Sequence, residues 1–169
     1  MPVIRAEERC VGTVGGMAEV LVPDPESFEP LAPERAALWR NFGKWEQPLF
    51  PQLVGLQVEE IRVDYCRMRL PYRSELNQPA GVVHGGAIAT LIDTVVVPAV
   101  ASAYDAIPMM LTLNMTVQYL GAIVSEDAIA DGWITRRGKS VAFCEVLVRT
   151  ASGQPAATGQ LTYKVSPPR

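Results

Sequence analysis

Several residue types that usually announce a chemistry are scarce in this chain. It has a single histidine, His84, in 169 residues, and one imidazole cannot build a histidine-rich metal site. Its three cysteines, Cys10, Cys66 and Cys144, are scattered and odd in number. No CxxC pair exists, which argues against a disulfide framework or a zinc site and for buried free thiols in a reducing compartment. The patterns GxSxG, GxGxxG and the Walker loop are absent as well, removing the common hydrolase, dinucleotide and nucleotide motifs. No basic surplus is present either. With a formal net charge of −3 the chain cannot neutralise many phosphates, so bulk nucleic-acid binding is not expected. The start "MPVIRAEERC" lacks the apolar run of a secretory signal. Charges or prolines interrupt every potential membrane span except residues 79–103, and that stretch carries His84, Asp93 and Pro98, which suits a buried helix better than lipid. A cytoplasmic protein that does not engage a membrane is expected.

What remains is the composition of a globular protein, 49% hydrophobic and 20% charged, long enough for one core. Residues 1–30 end in the proline-rich "VPDPESFEP" and read as an arm or linker, leaving 31–169 as a single domain. "PERAALWRNFGKWEQPLF" opens with proline and acid and spaces Leu38, Phe42 and Trp45 helically, predicting one helix that ends before Pro48. "VGLQVEEI" and "DYCRMRLPY" read as strands. "LTLNMTVQYL" alternates most clearly, with Leu111, Leu113, Met115, Val117 and Tyr119 set against Thr112, Asn114, Thr116 and Gln118. "DAIADGWITRRG", "KSVAFCEVLVRT" and "PAATGQLTYKV" add three strands joined by short turns, which suit antiparallel neighbours. Between the two groups, Gly85 to about Ala103 is apolar on nearly every side, so a sheet must enclose it, and Pro98 is expected to kink it. The fold class is therefore α+β, with a curved antiparallel sheet around a long central helix.

The segment "NQPAGVVHGGAIATLIDT" carries more than packing. Its "HGGAIATLIDT", with "VQYL" and "RRGKSVAFCEV" downstream, resembles the hotdog-fold acyl-CoA thioesterases of the phenylacetic-acid-degradation type, from about Trp45 to Val165. That resemblance implies a sheet wrapped around a helix, a homodimer or a dimer of dimers, a coenzyme A thioester as substrate, and no other cofactor. It also implies roles. Gly85 gives its backbone N–H to the thioester carbonyl, and Asp93 is general base or nucleophile. An upstream asparagine assists at the carbonyl; Asn77 is the nearest, although Gln78 occupies the usual spacing of six residues before the histidine. Thr112 takes the place of a hydroxyl residue that orients water.

The residue types fit the chemistry independently. A thioester passes through a tetrahedral oxyanion, and the free amides at a helix N-terminus, here opened by His84, Gly85 and Gly86, are suited to it. His84 alone reads as a cap or a core histidine; with two glycines after it and a distant aspartate it reads as part of a site. Asp93 is the only acid on that helix. Eight residues separate it from Gly85, which on one helix means roughly 12 Å along the axis and about 80° around it, too far for one carbonyl to touch both. Two antiparallel helices across a twofold axis would bring the N-terminus of one to Asp93 of the other. In the turn after the fourth strand, Arg136, Arg137, Gly138, Lys139 and Ser140 either hold the phosphates of coenzyme A or form a solvated hairpin. Trp39, Phe42 and Trp45 read as packing rather than as a site. Two other functions fit the same scaffold: an acyl-thioester dehydratase or hydratase, and a non-catalytic acyl-CoA-binding protein.

Overall fold

The computed structural model describes residues 22–166. Six strands form one antiparallel sheet in the order β1-β2-β4-β5-β6-β3. They run β1 Gln57–Arg62, β2 Tyr65–Leu70, β3 Met109–Tyr119, β4 Ala128–Arg137, β5 Val141–Thr150 and β6 Pro155–Ser166. Short hairpins join β1 to β2 and link β4, β5 and β6 in series. β3 arrives from the central helix and pairs with β6 at the far edge. The expected α+β class is the observed one, a curved sheet around a long helix.

That helix, α3, spans Gly85–Ala101. Leu91, Ile92, Val95, Val96, Ala99 and Val100 are fully buried on it. They meet the inward side chains of alternate sheet positions, Cys66, Met68 and Leu70 on β2 and Val146 and Val148 on β5 among them. The approach is close because the sheet lacks side chains where α3 crosses it. A Cβ placed on Gly159 would lie 2.4 Å from Ile92 Cγ2, and one on Gly132 would lie 2.9 Å from Val95 Cγ1. Pro98 falls in the last turn, where few hydrogen bonds remain to be lost, and the helix continues through it to Ala101.

The N-terminal helical region is shorter than its apolar spacing predicts. α1 covers Pro33–Arg40 only, and the chain turns at Gly43, whose φ of +78° is a left-handed value that stops a helix. Trp45 therefore lies beyond α1. A five-residue helix, α2 Phe50–Val54, follows and was not expected; Gly55 closes it in the left-handed region.

The expected arm falls partly outside the described residues, which begin at Val22. From there the chain covers the outer face of the sheet and reaches its β1 edge, where Pro30 bridges Arg62 and the Glu29 carbonyl accepts the Val63 N–H. Phe28 stacks on Tyr65 at 5.1 Å, and with Val22 it covers Tyr65, Trp133 and Leu147. The same face holds Asp131, fully buried, which accepts hydrogen bonds from the Tyr65 hydroxyl and from Arg67 and Arg149. Cys66 and Cys144 are buried free thiols. Among the described residues no helix is long and apolar enough to cross a membrane.

The edge strand β3 departs most from an ordinary amphipathic strand. Its alternation is real, yet Leu111 and Leu113 are 56% and 58% exposed, and Met109, Met115 and Tyr119 are exposed as well. Among the described residues one edge of β3 carries no partner strand. A bulge interrupts its register between Thr112 and Asn114.

Candidate active site

The first turn of α3 is built by its cap. Val83 N–H donates to the Ile123 carbonyl and His84 N–H to the Leu76 carbonyl at 2.8 Å, fixing the loop before the helix. His84 is extended at φ −63°, ψ 135°, as an N-cap is, and its Nδ1 accepts the Gly86 N–H at 2.8 Å. The ring proton therefore sits on Nε2. Ala87 N–H is taken by the His84 carbonyl. Gly86 is thus committed within the subunit. The Gly85 N–H has no acceptor among the described residues, and it stands at the positive end of a 17-residue helix. Tyr119 donates its hydroxyl to the Gly85 carbonyl at 2.8 Å, and a Cβ on Gly85 would crowd that ring at 3.2 Å. Glycine here keeps the amide approachable.

Asp93 lies on the part of α3 that its own sheet leaves uncovered, in line with Gly86, Thr90 and Val97. Its Oδ1 accepts two hydroxyls, Thr112 Oγ1 at 2.9 Å and Tyr163 Oη at 2.7 Å. Oδ2 has no partner among the described residues. Tyr163 also donates to the Asp93 carbonyl at 2.7 Å. Burial pushes the Tyr163 phenol far above its usual range, so it remains a donor at any working pH. The carboxylate is held by one oxygen and presents the other.

Thr112 reaches Asp93 because of the bulge. Strict alternation sets Thr112 opposite Met115, Val117 and Tyr119, but the extra residue at Leu113 shifts the register, and Thr112 pairs with Tyr163 on the inward face. Tyr163 itself was missed in the sequence. The alternation of "QLTYKV" puts it inward between Leu161 and Val165, and a phenol facing a buried helix needs a polar partner; that signal was available.

Asn77 and Gln78 lie in a tight turn that pairs with the strand leading to His84. Asn77 is half-buried, with Nδ2 donating to the Tyr72 hydroxyl at 3.0 Å. The other end of its amide is buried and unpaired. A half-turn of the amide exchanges the two ends, since a tyrosine hydroxyl can donate or accept. Gln78 is exposed.

The basic hairpin divides. The Arg137 guanidinium pairs with Asp64, donates to the Val100 carbonyl at 3.1 Å and lies over the Tyr104 ring at 5.1 Å. It ties the end of α3 to the sheet. Arg136, Lys139 and Ser140 are exposed, and Gly138 N–H closes the turn on the Val141 carbonyl. The structure thus places the hairpin at the end of α3 opposite Gly85. Trp39, Phe42 and Trp45, set aside in the sequence, line a cavity of about 360 Å³ against α3. No group of His, Cys, Asp and Glu among the described residues could hold a metal.

Comparison with known proteins bears on the family and the fold. Residues 80–157, from the approach to α3 into β6, match the family model described as the thioesterase superfamily. A Halobacterium salinarum protein assigned by name to the esterases is 34% identical over 123 residues, 66% of this chain and 81% of its own. Human acyl-coenzyme A thioesterase 13 is 29% identical over 99 residues, 57% of this chain and 69% of its own. Among solved structures, a Pseudomonas aeruginosa protein superposes with a TM-score of 0.66 at 25% identity, covering 70% of this chain and 94% of its own. The Escherichia coli PaaI protein of the phenylacetic acid degradation operon superposes at 0.68 with 13% identity, covering 78% and 94%, a likeness of fold.

Proposed function

The chain belongs to the thioesterase superfamily and is a thioester hydrolase, and from that premise we propose that it cleaves acyl-CoA thioesters in a homodimer whose two equivalent sites are each shared between subunits. The observation carrying this reading is that each subunit offers two groups without a partner among the described residues, the Gly85 N–H and Asp93 Oδ2, too far apart on one helix to meet at one carbonyl. The bare, apolar edge of β3 supplies a surface on which a second copy can continue the sheet.

The thioester oxygen accepts the Gly85 N–H of one subunit, with Asn77 assisting. Asp93 of the other subunit acts through Oδ2 as general base or nucleophile. In the first case water gives a proton to Oδ2 as its oxygen attacks the carbonyl carbon, and negative charge collects on the oxygen facing the helix N-terminus. The C–S bond then breaks, the sulfur takes up a proton, and a free acid and coenzyme A leave. Thr112 and Tyr163 keep Oδ1 occupied so that Oδ2 faces the substrate. Arg136 and Lys139 face solvent at the hairpin and are the cations available to the nucleotide phosphates.

Mixing two inactive proteins tests the sharing. One chain carries Asp93→Ala. The other carries Gly85→Pro, which removes the N–H at a first helical position where proline's φ is accepted. Each homodimer lacks one group at both sites. A heterodimer restores one site of two, and with random pairing half the dimers are mixed, so about a quarter of wild-type activity should return. Heterodimers that form by native mass analysis yet release no thiol would end the shared-site reading.

A further inference from the structure

The cavity beside α3 has no part in the bond-breaking step, and its position suggests what it holds. Leu38 and Trp39 of α1, Phe42 and Trp45 after it, Val97 of α3 and Ile107 border a half-open pocket of about 360 Å³ with a mostly apolar wall. That volume is within the range of small-molecule sites. The rings brace one another, Trp39 to Phe42 at 6.1 Å and Phe42 to Trp45 at 5.0 Å edge to face, so the wall is preformed. Three charged residues line it, Arg35, Lys44 and Asp105; Lys44 and Asp105 are open to solvent, and Arg35 donates to the Ser102 carbonyl at 2.8 Å and to that of Tyr104, closing the end of α3.

Asp93 is not in this wall. It lies one helical turn before Val97, on the same uncovered side of α3, and Ala101, another wall residue, follows one turn later. Residues four apart stand one above the other about 6 Å apart along the axis. A carbonyl at Oδ2 therefore has the cavity directly ahead along the helix. The aromatic wall facing α3 comes from residues 38–45, which precede the family-matched segment 80–157.

We infer that this cavity takes the distal part of an unbranched acyl chain, making medium-chain acyl thioesters, roughly eight to twelve carbons, the preferred substrates. The inference rests on the proposed site at Asp93. An extended chain advances about 1.2 Å per bond, one third of the 3.3–3.6 Å rise per residue of extended backbone. About five carbons thus reach the level of Val97, and about ten that of Ala101. Acetyl and butyryl groups stop short of the cavity. A phenylacetyl ring reaches only its rim.

The test is kcat/KM for acetyl-, butyryl-, hexanoyl-, octanoyl-, decanoyl- and phenylacetyl-CoA, measured by thiol release. Each methylene that enters an apolar site should contribute about fourfold, so decanoyl should exceed hexanoyl by roughly 200-fold. Val97→Phe fills the cavity from the helix side and should lower the decanoyl to acetyl ratio at least tenfold. If that variant fails to fold by circular dichroism, Trp45→Ala opens the opposite wall and should move the optimum to a longer chain. A flat or falling series with clear turnover, or an unmoved ratio or optimum in the folded variant, overturns the acyl pocket and leaves the reaction standing. Absence of turnover on every thioester overturns the proposed reaction instead. In that event tryptophan quenching by a non-hydrolysable decanoyl thioether of coenzyme A, compared with the acetyl thioether, decides the pocket: equal binding of the two ends it.

Discussion

Replacing Tyr163 by phenylalanine isolates how the carboxylate of Asp93, the proposed base or nucleophile, is oriented. The substitution removes one oxygen and leaves the ring packed among Leu161, Val165 and α3. Asp93 Oδ1 then keeps only Thr112, at 2.9 Å, and loses the shorter bond of 2.7 Å from a buried donor. The Asp93 carbonyl also loses that hydroxyl, but it remains within helix α3. A hydrogen bond to a charged group is worth about 1.5–3 kcal/mol. If that energy holds Oδ2 toward the substrate in the transition state, its loss lowers kcat by about 10- to 150-fold. KM should hardly move, since no contact to coenzyme A or to the acyl chain is touched. Thr112→Val, tested beside it, should act on the same oxygen, so the double variant should lose less than the product of the single losses. Steady-state thiol release on an acyl-CoA, with thermal melts to confirm folding, measures all four proteins. A kcat within twofold of wild type for Tyr163→Phe, or a loss confined to KM, would refute the orienting role.

Asp93→Asn should preserve the fold and the proposed dimer and reduce turnover by at least three orders of magnitude, exceeding the loss in Tyr163→Phe; near wild-type hydrolysis by it removes Asp93 from the mechanism. Gly159→Ala puts a methyl where Ile92 already lies, and an unfolding free energy lowered by about 1–3 kcal/mol is expected from urea denaturation; an unchanged free energy would mean that α3 can shift. Arg136→Ala with Lys139→Ala should raise KM for acyl-CoA but not for a thioester lacking the nucleotide, whereas Arg137→Ala should chiefly lower the melting temperature because its partners are Asp64 and the end of α3; equal KM changes on both thioesters would make Arg136 and Lys139 structural. Burial pushes the Cys144 thiol up to about 12 and raises Cys66, Tyr65 and Tyr163 too. The folded state therefore holds protons that the unfolded chain releases from about pH 8.5 upward, so stability should be full at neutral pH and fall as pH rises through 9 to 11. Urea midpoints that stay level from pH 7 to 10.5 would contradict this.

The sequence displayed the parts of this molecule whose local chemistry is self-sufficient. Two glycines after His84 mark the start of α3 to the residue, and an apolar surface on nearly every side of the helix requires a covering such as the curved sheet that is observed. Where tertiary geometry intervenes, the pattern misleads. Nothing at Leu113 signals a bulge, because leucine and threonine continue to alternate through it. Alternation alone would have turned Thr112 away from Asp93, and only the family likeness put it there. The predicted helix ran past Arg40 since Phe42 and Trp45 keep a helical spacing, but the left-handed backbone at Gly43 prevails over that spacing. Arg137 reads either as a phosphate-holding cation or as a solvated one in a charged turn; its pairing with Asp64 and Val100 depends on residues far away in sequence. The aromatic set was legible as apolar, though not as a cavity, since an enclosure is made by what stands opposite.

The open edge of β3 also bears on how a cell keeps this protein soluble. An eleven-residue strand with exposed leucines and an unpaired row of amides and carbonyls is the kind of template on which chains stack into insoluble assemblies. In the proposed dimer that template is occupied by its own copy, so the contact that completes catalysis also withdraws the most hazardous segment from circulation. Selection on such an edge would act through proteostasis as much as through chemistry. A substitution that loosens the pairing would first reduce the soluble yield, and the chains that stay in solution would then lose activity together on dilution.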